Sequence, residues 1–266
     1  MQAASAMMEL LARLGYASKA LVYGIVGALA IAAAINRGGR VTDTSGALRV
    51  ILSQPLGNTL LFVLAAGLCG YAIWRVSDAI MDPDRRGTDF GGLVTRIGNV
   101  IRGVVYGTLG VEAFRLARGL GGSNPDDAEL WTARIMDWPA GVWLIGLAGA
   151  IVAVFGASEI IRSVKGNVDE TVDYWSMPAG LRNPAIQVSR LGIGARGVII
   201  ATLGFFLVRA AIEHDPGEAA GTRESILELA GVVAGQWLLA AIAAGLIAYA
   251  VDQAIHARWR RIRPVM

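Results

Sequence analysis

Several ionisable side chains lie within long apolar stretches of the sequence, where a charge is costly, and six of them are the first candidates for chemistry. They are Lys19, Arg102, Arg196, Asp78, Glu159 and Asp252. An unpaired ionisable group costs about 2.5–3.5 kcal/mol at the centre of a bilayer and less towards its surface. The expected chemistry is therefore ion pairing between the basic and the acidic residues. The alternative is that the same charges bind an anionic lipid headgroup or solute.

A further acid, Glu112, lies inside the third apolar stretch, and Arg115 follows it three residues later. Side chains at this spacing share one face of a helix, so an ordinary ion pair within the helix is expected. Thr108, one turn deeper, makes a polar stripe possible but does not require one.

The centres of the apolar stretches lack the residues that catalysis and coupled transport need. They hold no Asp, Glu, Lys, Arg or His, and no stretch contains proline. Coupled transporters usually place an ionisable group there or break a helix to expose carbonyl groups. No phosphate-binding, dinucleotide-binding or serine-nucleophile motif occurs. The sequence therefore predicts a protein that is not an enzyme, has no catalytic residue, cofactor or metal, and does not drive coupled transport.

The elements that carry these residues are six apolar stretches. Hydrophobic residues make up 55% of the 266 residues and charged ones 17%, whereas soluble domains carry about 25% charge. The stretches are 14–35, 58–81, 97–116, 140–161, 191–212 and 235–255. Each is close to the roughly 20 residues that cross a bilayer as a helix, the structure that satisfies its own backbone in lipid. The predicted fold class is an all-α integral membrane protein with six transmembrane helices.

The six stretches form three tandem copies of one helix pair. The segments RLGYASKALVYGIVG, RIGNVIRGVVYGTLG and RLGIGARGVIIATLG begin at Arg13, Arg96 and Arg190. The second helix of each pair begins at a glycine and has an aromatic residue fourteen positions later: Gly57 and Tyr71, Gly141 and Phe155, Gly235 and Tyr249. The repeats span 10–83, 93–166 and 187–258 and together form one membrane domain. The first stretch is therefore the first helix of a repeat and not a cleaved signal peptide.

The repeat order and the basic residues predict the arrangement in the membrane. Two crossings per repeat give all copies one orientation, and the simplest bundle then has a pseudo-three-fold axis along the membrane normal. Sixteen Lys and Arg residues lie on the side of the amino terminus and eight on the other. The excess predicts that both termini and segment 166–188 are cytoplasmic.

We call the first helix of each pair the odd helix and the second the even helix. Because antiparallel helices are neighbours, the basic residues of the odd helices lie at the same depth in the membrane as the acids of the even helices. Within the repeats, the expected pairs are Lys19 with Asp78, Arg102 with Glu159, and Arg196 with Asp252. Pairing between neighbouring repeats is equally compatible, because the sequence does not determine which odd helix faces which even helix.

Small residues recur on one face of each odd helix. They are Ala20, Gly24 and Gly27; Gly103, Gly107 and Gly110; and Gly197, Ala201 and Gly204. Such faces allow close helix packing, which is the expected role; the alternative is a pore or a ligand cleft.

A short amphipathic segment lies between the helices of each pair on the outer side. Each segment begins near a plausible helix cap: Thr44, Asn124 followed by Pro125, and Thr222. Their apolar faces are Leu48, Ile51 and Leu52; Trp131, Ile135 and Trp138; and Ile226, Ala230 and Val233. They are expected to lie in the interface and to pack the outer rim; the alternative is a lid over a pore.

The repeated Arg-Leu-Gly start, the glycine-spaced first helix and the GLCGYAIWR ending of the first repeat resemble the bacterial "domain of unknown function 1206" family. The resemblance covers nearly the whole chain and implies two-helix repeats in a bacterial membrane, without an activity or catalytic residues. Two positions depart from the repeat pattern. Ile200 replaces the tyrosine of the other odd helices, and Ile151 replaces the glycine found at Gly67 and Gly245.

The leading functional hypothesis is a non-enzymatic accessory or scaffolding subunit that acts through contacts with other membrane proteins and lipids. The basic tail Arg258–Arg263 is expected to bind anionic headgroups; no nucleic-acid role is expected. The alternative is a passive transporter or channel for a small solute or ion along the pseudo-three-fold axis. An intramembrane enzyme ranks third.

Overall fold

The computed structural model describes residues 2–35, 41–82, 87, 90–122, 127–166, 172–216, 219 and 235–261. In these residues the chain is helical, apart from a single isolated β-bridge. The described helices are α1 (Gln2–Ala34), α2 (Thr44–Leu52), α3 (Gly57–Met81), α4 (Phe90–Ala117), α5 (Asp127–Met136), α6 (Gly141–Lys165), α7 (Ala179–Glu213) and α8 (Gly235–Trp259).

Several of these helices are long and apolar enough to cross a membrane. They are α1, α3, α6, α7 and α8. Their outward faces carry large apolar side chains, among them Trp143 and Val154 of α6, which are 82% and 70% exposed. The remaining predicted span is α4, which has 28 residues but carries Asn99, Arg102 and Glu112. The chain therefore has the features of a multi-pass membrane protein.

The long helices contact one another in the order α4, α3, α1, α8, α7, α6. The odd helices of the three repeats are α1, α4 and α7, and the even helices are α3, α6 and α8. Each even helix packs most extensively on the odd helix of the next repeat: α3 on α4, α6 on α7, and α8 of the third repeat on α1 of the first. The helices of the first and third repeats also pack on their own partners. In the part of the chain that the structure describes, α4 and α6 of the second repeat do not pack along each other.

The small-residue faces of the odd helices pack against the even helix of the preceding repeat. A Cβ atom added to Gly197 would lie 2.9 Å from the carbonyl oxygen of Gly156 in α6. One added to Gly103 would lie 3.2 Å from the carbonyl oxygen of Ala72 in α3. The close-packing role predicted for these faces is thus confirmed at both positions.

The outer helices differ from one another. Helix α2 begins at Thr44, but Thr44 is not its cap as predicted. The side chain of Asp43, one residue earlier, caps the helix by accepting a hydrogen bond of 2.7 Å from the Gly46 amide. Its buried Leu48 and Ile51 pack beneath it against α1, α3 and α4. By contrast, α5 packs on α6 and leaves Trp131 and Trp138 exposed, so the apolar face predicted from Trp131, Ile135 and Trp138 is not buried as a whole. The third predicted segment, which begins at Thr222, lies outside the described residues.

Candidate functional site

The arginine that opens each repeat binds the carboxyl end of the even helix of the preceding repeat. Its guanidinium donates to two carbonyl oxygens at 2.7–3.2 Å: Arg13 to Ala257 and Arg258, Arg96 to Ala79 and Ile80, Arg190 to Ser163 and Val164. Carbonyl groups in the last turn of a helix lack the usual intrahelical donor, although the Ser163 carbonyl also accepts from the capping amide of Gly166 at 3.3 Å. A positive charge there interacts favourably with the negative end of the helix dipole. The signature arginine therefore joins consecutive repeats, and Arg13 closes the series by binding the third repeat to the first.

The glycine two residues after this arginine sets the distance between the helices of one repeat. At Gly15 an added Cβ would collide with the Cβ of Tyr71, and at Gly192 with the backbone of Tyr249. At Gly98 the nearest atom would be an Arg102 guanidinium nitrogen, 3.8 Å away. The first and third repeats thus need this glycine for close packing, whereas the second does not.

The opposing position on the even helix explains the difference. Added Cβ atoms at Gly67 and Gly245 would collide with Ser18 and Ala195, respectively. The second repeat has Ile151 at this position, and the isoleucine is 50% exposed. Because a branched side chain does not fit where even one carbon would collide, α4 and α6 stay apart.

The interior of the bundle holds four basic side chains, which we name the central cationic cluster: Lys19, Arg75, Arg102 and Arg196. Lys19 is 4% exposed. Its Nζ lies 3.3 Å from the hydroxyl of Tyr71 and within 4.6 Å of the ring centroids of Tyr71 and Tyr106. Aromatic faces stabilise a desolvated cation. No carboxylate of the described residues lies within ion-pair distance of Lys19.

Arg75 makes the most hydrogen bonds of the cluster. It donates to the hydroxyls of Tyr71 and Tyr16 at 2.9 and 2.8 Å, and to Oδ1 of Asn99 at 3.2 Å. Its Nη1 lies 3.9 Å from Asp78, and Asn99 donates to the same carboxylate at 2.7 Å. Arg75 therefore ties α3 to α1 and α4.

Arg102 and Arg196 share one carboxylate. Glu159 lies 3.8 Å from Arg102 and 3.7 Å from Arg196, and the more exposed Arg162 approaches it at 3.3 Å. Arg102 also lies over the ring of Phe155, 5.0 Å from its centroid. In the described residues, these side chains provide the connection between α4 and α6.

The structure brings together one of the three pairs expected within repeats, Arg102 with Glu159, and adds a contact of Glu159 with Arg196 of the next repeat. The expected pairs of Lys19 with Asp78 and of Arg196 with Asp252 do not form. Asp252 instead accepts from Gln253 at 2.7 Å and lies 3.5 Å from His256.

The acids occupy different positions after the shared aromatic residue, which explains the two wrong pairings. Glu159 follows Phe155 by four residues, Asp78 follows Tyr71 by seven, and Asp252 follows Tyr249 by three. The position of Glu159 is taken by Arg75 in the first repeat. Asp78 is therefore about one turn too far from Lys19.

The prediction for Glu112 is also wrong. Its carboxylate accepts a hydrogen bond of 2.8 Å from Ser45, at the start of α2, and forms no ion pair with the exposed Arg115. Glu112 therefore anchors an outer helix on α4 instead of pairing within its own helix.

Part of the basic tail is bound by the protein itself. Arg260 is 5% exposed and lies over the rings of Tyr16 and Trp74. Arg261 lies 2.8 Å from Asp173, and its guanidinium lowers the pKa of that carboxyl below the ordinary value. Arg260 is thus enclosed by the protein, whereas 63% of the Arg261 side chain stays exposed, and binding of anionic headgroups by the tail stays a prediction.

Sequence reasoning missed Arg75 and the tyrosines as members of the central cluster. Their signal was present in part, because Tyr71 and Tyr249 recur at the shared aromatic position. Among the described residues, no three His, Cys, Asp or Glu side chains come together in a group that could hold a metal ion.

Comparison with known proteins agrees with the repeated architecture. The family model described as "Domain of Unknown Function (DUF1206)" matches this chain three times, at residues 14–82, 97–166 and 191–260. A protein of Bacillus subtilis (strain 168) named "Uncharacterized protein YxxB" is 34% identical over 237 residues, which cover 89% of this chain and 86% of that protein. No solved structure matches. The chain belongs to the DUF1206 family and carries three tandem copies of its domain.

Proposed function

We propose that the chain crosses the bacterial cytoplasmic membrane six times, with α4 as the sixth span. At about 1.5 Å per residue, α4 is about 42 Å long, which exceeds the hydrocarbon thickness. Its Asn99, Arg102 and Glu112 bind other helices of the protein. Its exposed face carries Val104 and Val111. A helix that satisfies its polar groups inside the bundle can present such a face to lipid.

The six spans form a ring with pseudo-three-fold symmetry, and both termini are cytoplasmic. The three equivalent arginine contacts at helix ends support the ring, and the excess of basic residues supports the orientation. Trp175, in the linker before α7, is 78% exposed. In protein that lacks Cys69, Trp175→Cys is expected to resist membrane-impermeant thiol reagents in intact cells and to react in lysed cells. Strong labelling in intact cells would contradict the orientation.

The function that the geometry supports best is that of a non-enzymatic accessory or stabilising subunit, which acts on other membrane proteins and on lipids through its helix surfaces. One observation carries this proposal. The charged groups within the helices contact one another or aromatic rings inside the bundle, whereas the outer faces are apolar. The charged groups that could do chemistry thus hold helices together, and the surface left for partners is the apolar surface that faces the membrane.

A passive path along the axis has less support. Side chains from α1, α3, α4 and α8 converge within 6 Å of the Lys19 ammonium group and occupy the centre of the bundle. Protein in liposomes is therefore expected to be tight to small ions and solutes and to show no uphill uptake under a pH or sodium gradient. Reproducible flux that Lys19→Met changes would make transport the better interpretation.

The accessory role is tested by isolating the protein from native membranes in mild detergent and identifying the membrane proteins recovered in stoichiometric amount. Two substitutions on α6 distinguish a specific complex from proteins that adhere to the protein only in detergent. Leu147→Ser and Val154→Ser alter an exposed face, so each is expected to weaken a specific complex while the protein stays folded. Recovery of monomeric protein with lipid alone, from cells at native expression, would contradict the accessory role.

A further inference from the structure

We propose that the central cationic cluster is a binding site for a phosphate-type anion, which reaches it between α4 and α6. The proposal concerns the interior of the bundle and does not depend on the accessory role. Four cations form the cluster, and the described carboxylates that contact them are Asp78 and Glu159. The cluster thus has an excess of two positive charges where burial makes uncompensated charge costly.

The cations lie close to one another, as a closed series of shared partners shows. Lys19 and Arg75 share Tyr71, and Arg75 and Arg102 share Oδ1 of Asn99. Arg102 and Arg196 share Glu159, and Arg196 and Lys19 both lie over the ring of Tyr249. One small anion could therefore interact with several members of the cluster at once.

Two members have unused donor capacity. Lys19 has three N–H donors when protonated, and among the described residues its hydrogen-bond partner is the hydroxyl of Tyr71. The Nε atom of Arg196 is buried, and no described residue accepts a hydrogen bond from it. Buried donors, and charged ones above all, are normally satisfied. An anion with several acceptor oxygens would satisfy both.

The route to the cluster is the separation of α4 and α6. Arg102 lies at this separation, with 22% of its side chain exposed, and Phe155 and the exposed Ile151 border it on α6. The equivalent routes in the first and third repeats are closed by Gly15 packed on Tyr71 and Gly192 packed on Tyr249. Ile151 lies among the exposed apolar residues of α6, which are expected to meet lipid, so a headgroup would enter between α4 and α6 while its chains stay in the bilayer.

A phosphate group fits the donor set. Planar guanidinium groups bind phosphate through paired hydrogen bonds, and an ammonium group adds a point charge. The same chemistry is offered by an anionic phospholipid headgroup and by free inorganic phosphate, and the experiment below distinguishes these two sources.

The test uses the full chain, purified and delipidated in detergent, at constant ionic strength. The probes are inorganic phosphate, with chloride as the control salt, and a short-chain phosphatidylglycerol, with short-chain diacylglycerol as the uncharged control. Thermal shift and calorimetry report binding. Arg102→Gln is compared with Arg115→Gln, a matched change on the exposed face of the same helix. Arg102→Gln is expected to weaken binding about tenfold or more, and Arg115→Gln is expected to leave it unchanged.

Ile151→Trp separates the two sources, because a larger side chain at the opening obstructs a lipid more than a free ion. Binding of phosphatidylglycerol that Ile151→Trp and Arg102→Gln both weaken would establish the headgroup as ligand. Binding of phosphate that Arg102→Gln alone weakens would establish a free anion. Arg196→Gln provides a second cluster variant if Arg102→Gln fails to fold.

Three results would overturn the proposal. The first is that neither probe gives a saturable response, and the second is that chloride gives an equal response. The third is that the cluster variants bind the probes with full affinity, or that Arg115→Gln lowers the affinity as strongly as the cluster variants do.

Discussion

The helix pair of the second repeat and the pairs of the first and third repeats are built from the same sequence pattern but pack differently. In the first and third repeats, glycines on both helices let the backbones touch, as at Gly15 and Gly67. In the second repeat Ile151 occupies one of these positions, and Arg102 and Phe155 span the space between the helices. One position thus determines whether two helices join through their backbones or through a charged side-chain network. The predictions below start from this contrast.

The largest effect is expected where the second repeat depends on charge. Glu159→Gln would leave Arg102 and Arg196 without their shared carboxylate, and loss of one partner from a buried ion pair costs about 3–5 kcal/mol. The free energy of unfolding in detergent, measured by chemical denaturation, is the readout. The double variant Arg102→Gln with Glu159→Gln should be less destabilised than Glu159→Gln alone.

The control for this change is Glu213→Gln, which removes an exposed ion pair with Arg209. Exposed pairs contribute about 0–1 kcal/mol. Similar losses for Glu159→Gln and Glu213→Gln would show that the network does not hold α4 to α6.

The next largest loss of stability is expected at the glycines that let the two helices of the first and third repeats pack closely. Gly15→Ala places a carbon against the Cβ of Tyr71 and is expected to destabilise the protein by about 1–3 kcal/mol. Gly98→Ala, the equivalent change in the second repeat, meets open space and is expected to be neutral or to stabilise by roughly 0.5–1 kcal/mol, as for alanine in any helix. Thermal unfolding midpoints in one detergent compare the two. Equal destabilisation would mean that α4 and α6 are packed as closely as the other pairs.

A smaller and uniform effect is expected for the arginines at the helix ends, because these contacts are alike in all three repeats. Arg13→Gln, Arg96→Gln and Arg190→Gln should each cost about 1 kcal/mol. Glu9→Gln removes only the exposed partner of Arg13 and serves as its control. If Arg13→Gln alone had no effect, the contact that closes the ring from the third repeat to the first would be in doubt.

Self-similarity predicted the parts of the structure that every repeat shares, and it failed where the repeats differ. The small-residue faces of the odd helices were correctly predicted to pack closely, because close backbone approach requires small side chains. The repeated arginine marked the repeats, but its binding to helix ends was not predicted. The ion pairs were predicted from approximate depth, and two of the three expected within repeats were wrong. Relative to Glu159, Asp78 lies about one turn further along its helix and Asp252 lies one residue earlier.

Contacts between distant segments could not be read from the sequence. No local pattern indicated that α8 packs on α1, or that Arg260 lies over Tyr16 and Trp74. The replacement Ile151 was visible in the sequence, but its consequence depends on how near α4 and α6 would otherwise come.

The smallest effect is expected at Asp173, in the linker before α7, which lies outside the contrast between the repeats. Arg261 lowers the pKa of Asp173 in the folded protein, so the pair stabilises the fold above the ordinary carboxyl pKa of about 3.9. This contribution is lost as the pH falls through the lowered pKa. Arg261→Gln is therefore expected to cause a small loss of stability at neutral pH that disappears in acid. A difference from wild type that grows in acid would contradict this assignment.

Exchange of glycine and isoleucine at one repeat position tests the central contrast most directly. Gly67→Ile and Gly245→Ile place the side chain of Ile151 at the equivalent positions of the first and third repeats, where an added Cβ would collide with Ser18 and Ala195. Each is expected to destabilise the protein by about 1–3 kcal/mol or more. Ile151→Gly is expected to cost only about 1 kcal/mol, as for glycine in any helix, because Ile151 is half exposed and holds no helix pair together. The free energies of unfolding in one detergent compare the three variants, and equal losses in all three would contradict the open second repeat.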